Sequence, residues 1–344
     1  MRTFTAGSVV ATALAIGLGT ATAIGQSSSG AVEAHVAAAR KAAGQEWAGV
    51  FNTTCNAAVP PATPAARTAP AAAAPRPAGP PDRSTWHAEP VKVFDNLYFL
   101  GQTEYSVWAV TTSQGIIVID TIFDYSVEDE VVGGLKTLGL DPTTIKYAIV
   151  SHGHGDHSGG AKFLQDKFGT RVILSAADWD LLDRSTGTKP KRDMVATDGM
   201  KLTLGDTTLT LYITPGHTPG TISTLIPVKD RGTPHLVAEW GGTAFNWLNN
   251  GGRGYITPDK PATYWFKSYD ESARRFRDIV AKEGADVIIA NHTIFDGSKT
   301  KLPAVLTRKA TDPNPYVVGK EGVLRYLTTV DECAQAGLTR LSSQ

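Results

Sequence analysis

Cysteine, charge of one sign and long apolar runs are all scarce in this 344-residue chain. Its 2 cysteines are too few for a disulfide scaffold or a four-cysteine zinc site. Basic and acidic side chains balance at 33 each, so no cationic excess exists to neutralise phosphates. That balance argues against a nucleic-acid partner held by bulk electrostatics. The N-terminal apolar run, Val9 to Leu18, falls short of the roughly 20 residues a membrane span needs. What remains is a chain long enough to bury a substantial core as one large domain or two ordinary ones.

The chain is not uniform along its length. Residues 1–25 read as a secretion signal: Met1 and Arg2 give a positive start, Val9 to Leu18 the apolar segment, and Ala21-Thr22-Ala23 a small-x-small cleavage pattern. This predicts a periplasmic or secreted protein with no stable membrane association after cleavage. Residues 26–56 form an alanine-rich segment, and Ala31 to Phe51 predicts a helix. Ala57 to Pro81 holds 11 Ala and 8 Pro in 25 positions, so 57–85 predicts an extended linker. The working domain, 86–344, carries 27 basic against 30 acidic residues, a sign that suits divalent cations. In an exported chain the even pair Cys55 and Cys333 suggests a disulfide tying the N-terminal segment to the last helix.

From Val91 onward, short β-branched runs alternate with helical stretches. Strands are expected at Asn96 to Leu100, Val107 to Thr112, Ile116 to Asp120, Lys146 to Val150 and Arg171 to Leu174. Further strands are expected at Asp198 to Gly205, Thr207 to Ile213, Ile222 to Pro227, His235 to Glu239 and Asp286 to Ala290. Helices are expected at Glu128 to Leu138, Gly159 to Phe168, Ala176 to Asp183 and Glu321 to Ala336. Ser268-x-x-Glu271 reads as a capping box opening another helix, which Gly284 closes. The mixture predicts an α/β (α+β) fold with two sheets between helices.

Five of the eight histidines stand in a telling arrangement. His152-Gly-His154-Gly-Asp156-His157 follows an apolar strand directly and leads into a helix. Imidazole and carboxylate are the ligands zinc takes when thiolates are absent. The intervening glycines remove side chains that would keep these groups from converging. His217, in Pro215-Gly-His-Thr-Pro-Gly220, and His292, in Ala290-Asn-His292, also stand at strand ends, where α/β folds place their sites.

These motifs, in this order, resemble the metallo-β-lactamase superfamily from about Val91 to Leu338. The resemblance implies an αββα four-layer sandwich with a dinuclear metal site at one sheet edge. His152, His154 and His217 would hold the first metal, and Asp156, His157 and His292 the second. Two zinc ions are the expected cofactor; Fe and Mn suit the same ligands. Many hydrolases of the superfamily, glyoxalase II-like thioesterases and lactonases included, bridge the metals with another Asp, and two β-lactamase subclasses place a cysteine there. The corresponding stretch, Leu236 to Asn246, holds neither. That pattern is similar to the third subclass of metallo-β-lactamases, as is the tail around Asn314-Pro315-Tyr316.

The implied activity is opening of a small cyclic amide, a β-lactam, by metal-bound hydroxide, with Asp156 as the catalytic carboxylate orienting it. A lactone, thioester or other ester is the alternative substrate. A redox di-iron relative is disfavoured because His152 and His154 are both intact, and a metal-binding protein without turnover is disfavoured by the complete ligand set. The departure is Trp240-Gly241-Gly242-Thr243, where the third subclass often carries substrate-touching serines, for which Thr243 and Asn246 are the candidate substitutes. Tyr105 and Trp108 offer an aromatic wall, and Lys189, Lys191 and Arg192, within Leu182 to Met194, offer cations for a substrate carboxylate.

Overall fold

In the first sheet, successive residues of one strand serve two different cores. Ile117 and Ile119 point to one face and Ile116 and Val118 to the other, and all four are buried. Period-2 alternation with apolar residues on both faces requires cover on both sides. The computed structural model, which describes residues 1, 20–60, 79–248 and 254–343, supplies it. Residues 2–19 of the expected secretion signal and 61–78 of the expected linker lie outside the described residues.

Seven strands form that first sheet, in chain order: β1 (Val91–Lys92), β2 (Leu97–Phe99), β3 (Trp108–Thr112), β4 (Gly115–Ile119), β5 (Ile145–Ile149), β6 (Arg171–Ser175) and β7 (Met194–Ala196). Pairing is antiparallel up to β4 and parallel beyond it. The second sheet has the order β12 (Val287–Ala290), β11 (Thr233–Trp240), β10 (Ile222–Asp230), β9 (Thr207–Ile213) and β8 (Met200–Leu204). Between the sheets lies a core that includes Phe99, Trp108, Ile149, Leu209, Ile226 and Ile289.

On the outer face of the first sheet, Val118 and Ala148 meet Val131, Leu135 of α3 (Gly134–Thr137) and Leu164 of α5 (Ala161–Phe168), and the chain also forms α4 (Gly155–Ser158) and α6 (Ala176–Asp183). On the outer face of the second, Trp240 and Ile288 meet Phe276 of α7 (Ala262–Glu283) and Tyr326 of α9 (Gly319–Ser342). The layers are therefore helix, sheet, sheet, helix, as expected. Two helices from the N-terminal segment, α1 (Thr20–Ala43) and α2 (Ala48–Ala58), pack against α9, with Trp47 and Val50 fully buried. A Cys55–Cys333 disulfide joins α2 to α9.

One sequence expectation needs correction, and one helix went unread. Ser268 does not open a helix: α7 begins at Ala262, and Ser268 lies within it. Burial of Trp265, Phe266 and Tyr269 extends the helix past the local cap signal. Gly284, at φ +82°, does close it. The helix α8 (Ser298–Leu306) was hidden by the proline inside it, Pro303.

Candidate metal centre

Three strand ends converge at one edge of the sandwich. The loop after β5 carries His152, His154, Asp156 and His157; the turn after β9 carries His217; the chain leaving β12 carries His292. They assemble as two trios, His152–His154–His217 and Asp156–His157–His292, with one ligand atom from each residue within 4.8 Å of the others in its trio. The trios adjoin, with His152 and His157 ring centroids 4.2 Å apart. All six sequence candidates for metal ligation are thus brought together.

The outer partner of each ring explains its orientation. His152 Nδ1 lies 2.9 Å from Gly241 O, His217 Nδ1 2.5 Å from Ala244 O, and His157 Nδ1 2.8 Å from an Asp120 carboxylate oxygen. With Nδ1–H donated to those acceptors, Nε2 carries the lone pair and points inward. His217 and His152 Nε2 atoms lie 3.1 Å apart, and those of His157 and His292 3.2 Å. Two nitrogens bound to one tetrahedral zinc at about 2.05 Å sit about 3.3 Å apart. His154 directs Nε2 to the Tyr255 hydroxyl at 3.0 Å, which assigns Nδ1 to the cation. The donor set fits two divalent ions.

Electrostatics agree. Burial works against the charged form of His157, but Asp156 and Asp120 override it and push the imidazole up to about 10. Burial and His157 push His292 down to about 3. Burial opposes ionisation of Asp156, yet His157 and His292 hold its carboxyl well below the usual range. Besides the Nδ1 proton given to Asp120, the metal-free site thus holds a second proton on His157 Nε2, towards Asp156, where a cation would supply the same charge.

The remaining sequence candidates divide. Tyr105 is half-buried beside the site, its ring centroid 5.0 Å from that of His292. Asn246 is half-buried at the start of a short turn whose Trp247 donates to Gly216 O. Thr243 is a correction: its side chain is buried with its hydroxyl against Tyr326, in the helical layer rather than the site. Trp108 is a core residue, donating to Ala290 O. Of the loop cations, Lys189 is spent on the carbonyls of Asp183 and Ser185 and Arg192 on Asp180, while Lys191 is exposed.

Residues 100–231 match the metallo-β-lactamase superfamily. That stretch is a domain of the superfamily. Its fold is shared with BJP-1, a subclass B3 metallo-β-lactamase of Bradyrhizobium japonicum, at TM-score 0.63 and 26% identity, covering 74% of this chain and 95% of that one. FEZ-1 from Legionella gormanii gives TM-score 0.63 at 21% identity, covering 75% and 97%, a likeness of fold. Among curated proteins, an N-acyl homoserine lactonase of Bacillus sp is 29% identical over 177 residues, 48% of this chain. The chain spans 63% of that lactonase's length.

Sequence reasoning missed two residues that shape this site. Asp120 accepts from Ser151 N at 2.7 Å and Ser151 Oγ at 2.9 Å besides fixing His157. Its signal was an acid ending an apolar strand. Asp178, fully buried, accepts from Gly153 N, Thr218 Oγ1 and Gly220 N at 2.7–2.8 Å, tying the first histidine loop to the His217 turn. Burial pushes its carboxyl up to about 6. No sequence pattern marked it.

Proposed function

We propose that this protein is an exported dinuclear zinc hydrolase that opens a cyclic amide, a β-lactam. The observation that carries the reading is the pair of adjoining trios whose outer nitrogens are already committed to fixed acceptors. When bound, two zinc ions would supply a water nucleophilic at neutral pH and an electrophilic pole for a carbonyl oxygen. Asp156 Oδ2, 3.3 Å from His157 Nε2, would ligate the second ion and orient the attacking water towards the carbonyl carbon. Asp120 and the Gly241 and Ala244 carbonyls hold the imidazoles still, so little reorganisation accompanies the reaction.

The lactam reading is favoured by what stands at the end of β11. A Cβ on Gly242 would lie 2.6 Å from His217 Cβ, so this strand end packs on the ligand, and its buried Glu239 belongs to neither trio. A lactone is the second reading, supported by the lactonase relative. Metal analysis with a hydrolysis panel decides between them: a chromogenic cephalosporin, a carbapenem, an acyl-homoserine lactone and a glutathione thioester. Two zinc ions with lactam turnover are expected; lactone turnover without lactam turnover overturns the substrate assignment. Export is tested by N-terminal sequencing of mature protein from the periplasm or medium.

A further inference from the structure

We infer that the turn Asp120–Tyr125 and the segment Gly79–Asp82 form a subsite for an aromatic substituent of the substrate, neutral or cationic and remote from the bond that breaks. The inference rests on the preceding reading only for which molecule carries that substituent.

A row of rings runs outward from the metal centre. Tyr105 lies 5.0 Å from His292, Phe123 lies 5.0 Å from Tyr105, and Tyr125 stacks on Phe123 at 5.1 Å and 15°. Trp86 closes the row at 5.7 Å from Tyr125. These separations are those of favourable aromatic pairs, and another ring adds to such a row at little cost in ordering. Phe123 and Tyr125 are only half-buried. With Pro80 and Pro81 opposite, they border a cavity of about 760 Å³.

The backbone is bent to present them. Asp120 and Ile122 are buried with φ of +62° and +49°, and a β-branched residue in that region is strained by roughly 1–3 kcal/mol. The surroundings hold the turn, since Thr121 N and Oγ1 both donate to His157 O and Gly160 N donates to Ile122 O. One strained turn therefore places Asp120 on His157 and Phe123 on Tyr105. The charged residues lining the cavity, Asp82 and Asp124, are acids, and no Lys or Arg lines it among the described residues. An anionic substituent is disfavoured.

The test uses the full chain after chelator treatment, with backbone amide shifts followed by NMR. Phenylacetamide and 2-phenylethylamine should shift Phe123, Asp124 and Tyr125 saturably. Phenylacetate should bind about tenfold more weakly, and acetamide should produce no saturable shift there. Tyr125→Ala should weaken phenylacetamide about tenfold, a loss of about 1.4 kcal/mol, with Phe123→Leu as a second variant that keeps the core filled. Unshifted amides in the wild type, or equal binding by wild type and both variants, overturns the subsite. With metal restored, phenylacetyl and acetyl versions of one cephalosporin and one homoserine lactone separate the two ideas. Binding without any turnover sinks the hydrolase reading alone, whereas turnover with no preference for phenylacetyl sinks the subsite alone.

Discussion

The edge that holds the two trios and the helical layer of α7, α9 and the N-terminal helices are built on opposite terms. At the edge, imidazoles and carboxylates are buried shoulder to shoulder beside a strained turn. In the helical layer, Trp47, Phe266, Phe276 and Tyr326 are fully buried and a disulfide joins α2 to α9. Burying like-charged or unpaired polar groups costs stability, and burying aromatic surface supplies it. The difference teaches that this chain separates its functional arrangement from its stability, and each can be disturbed alone.

The largest effect should come from the edge. His217→Ala should remove one ion per chain and lower kcat/KM by at least about a thousandfold, the scale of losing a Lewis acid. Near-unchanged circular dichroism and melting of the metal-free protein should accompany it. A collapse of the fold would break the separation. In the helical layer, Phe276→Ala should cost about 3–5 kcal/mol in denaturant unfolding while metal content stays the same. Cys55→Ser should cost about 2–5 kcal/mol, because it reopens a loop of 278 residues in the unfolded chain. Equal stability of the oxidised and reduced wild type would refute that figure.

Asp178 sharpens the boundary between the regions. Asp178→Asn puts an amide N–H against at least one backbone N–H donor, and should weaken metal binding about 10–100-fold by competition with a chelating dye. The smallest effect concerns pH. Burial and the neighbouring Asp331 push Asp270, on α7, up to about 7, against the pull of Arg274. An acid raised in the folded state stabilises when protonated, so its contribution is present below about pH 4 and is lost as pH rises towards 7. Melting of metal-free protein across that window should therefore fall more steeply in the wild type than in Asp270→Asn.

The site was legible where its residues lie close in sequence or repeat a context. His152 to His157 form one loop, and His217 and His292 each follow an apolar strand that the alternation of residues had already placed. Asp120 was not legible because it reaches His157 across two parallel strands, a contact that exists only once β4 and β5 pair. Asp178 joins two loops from the first turn of a helix, for the same reason. Most strands were readable because β-branched runs ended at turns. The early start of α7 was not, because tertiary burial of three aromatics outweighed a local cap. Thr243 was misplaced because a residue's position along a strand end does not say which layer its side chain enters.

The joining of α2 to α9 also sets an order of events. Ribosomes deliver residue 55 long before residue 333, so the first helices wait through nearly the whole of synthesis for the surface that covers Trp47 and Val50. A product truncated before α9 would leave those side chains uncovered and Cys55 without its partner. Docking of the first helices therefore depends on the last one, whose Gly322 and Tyr326 receive Trp47.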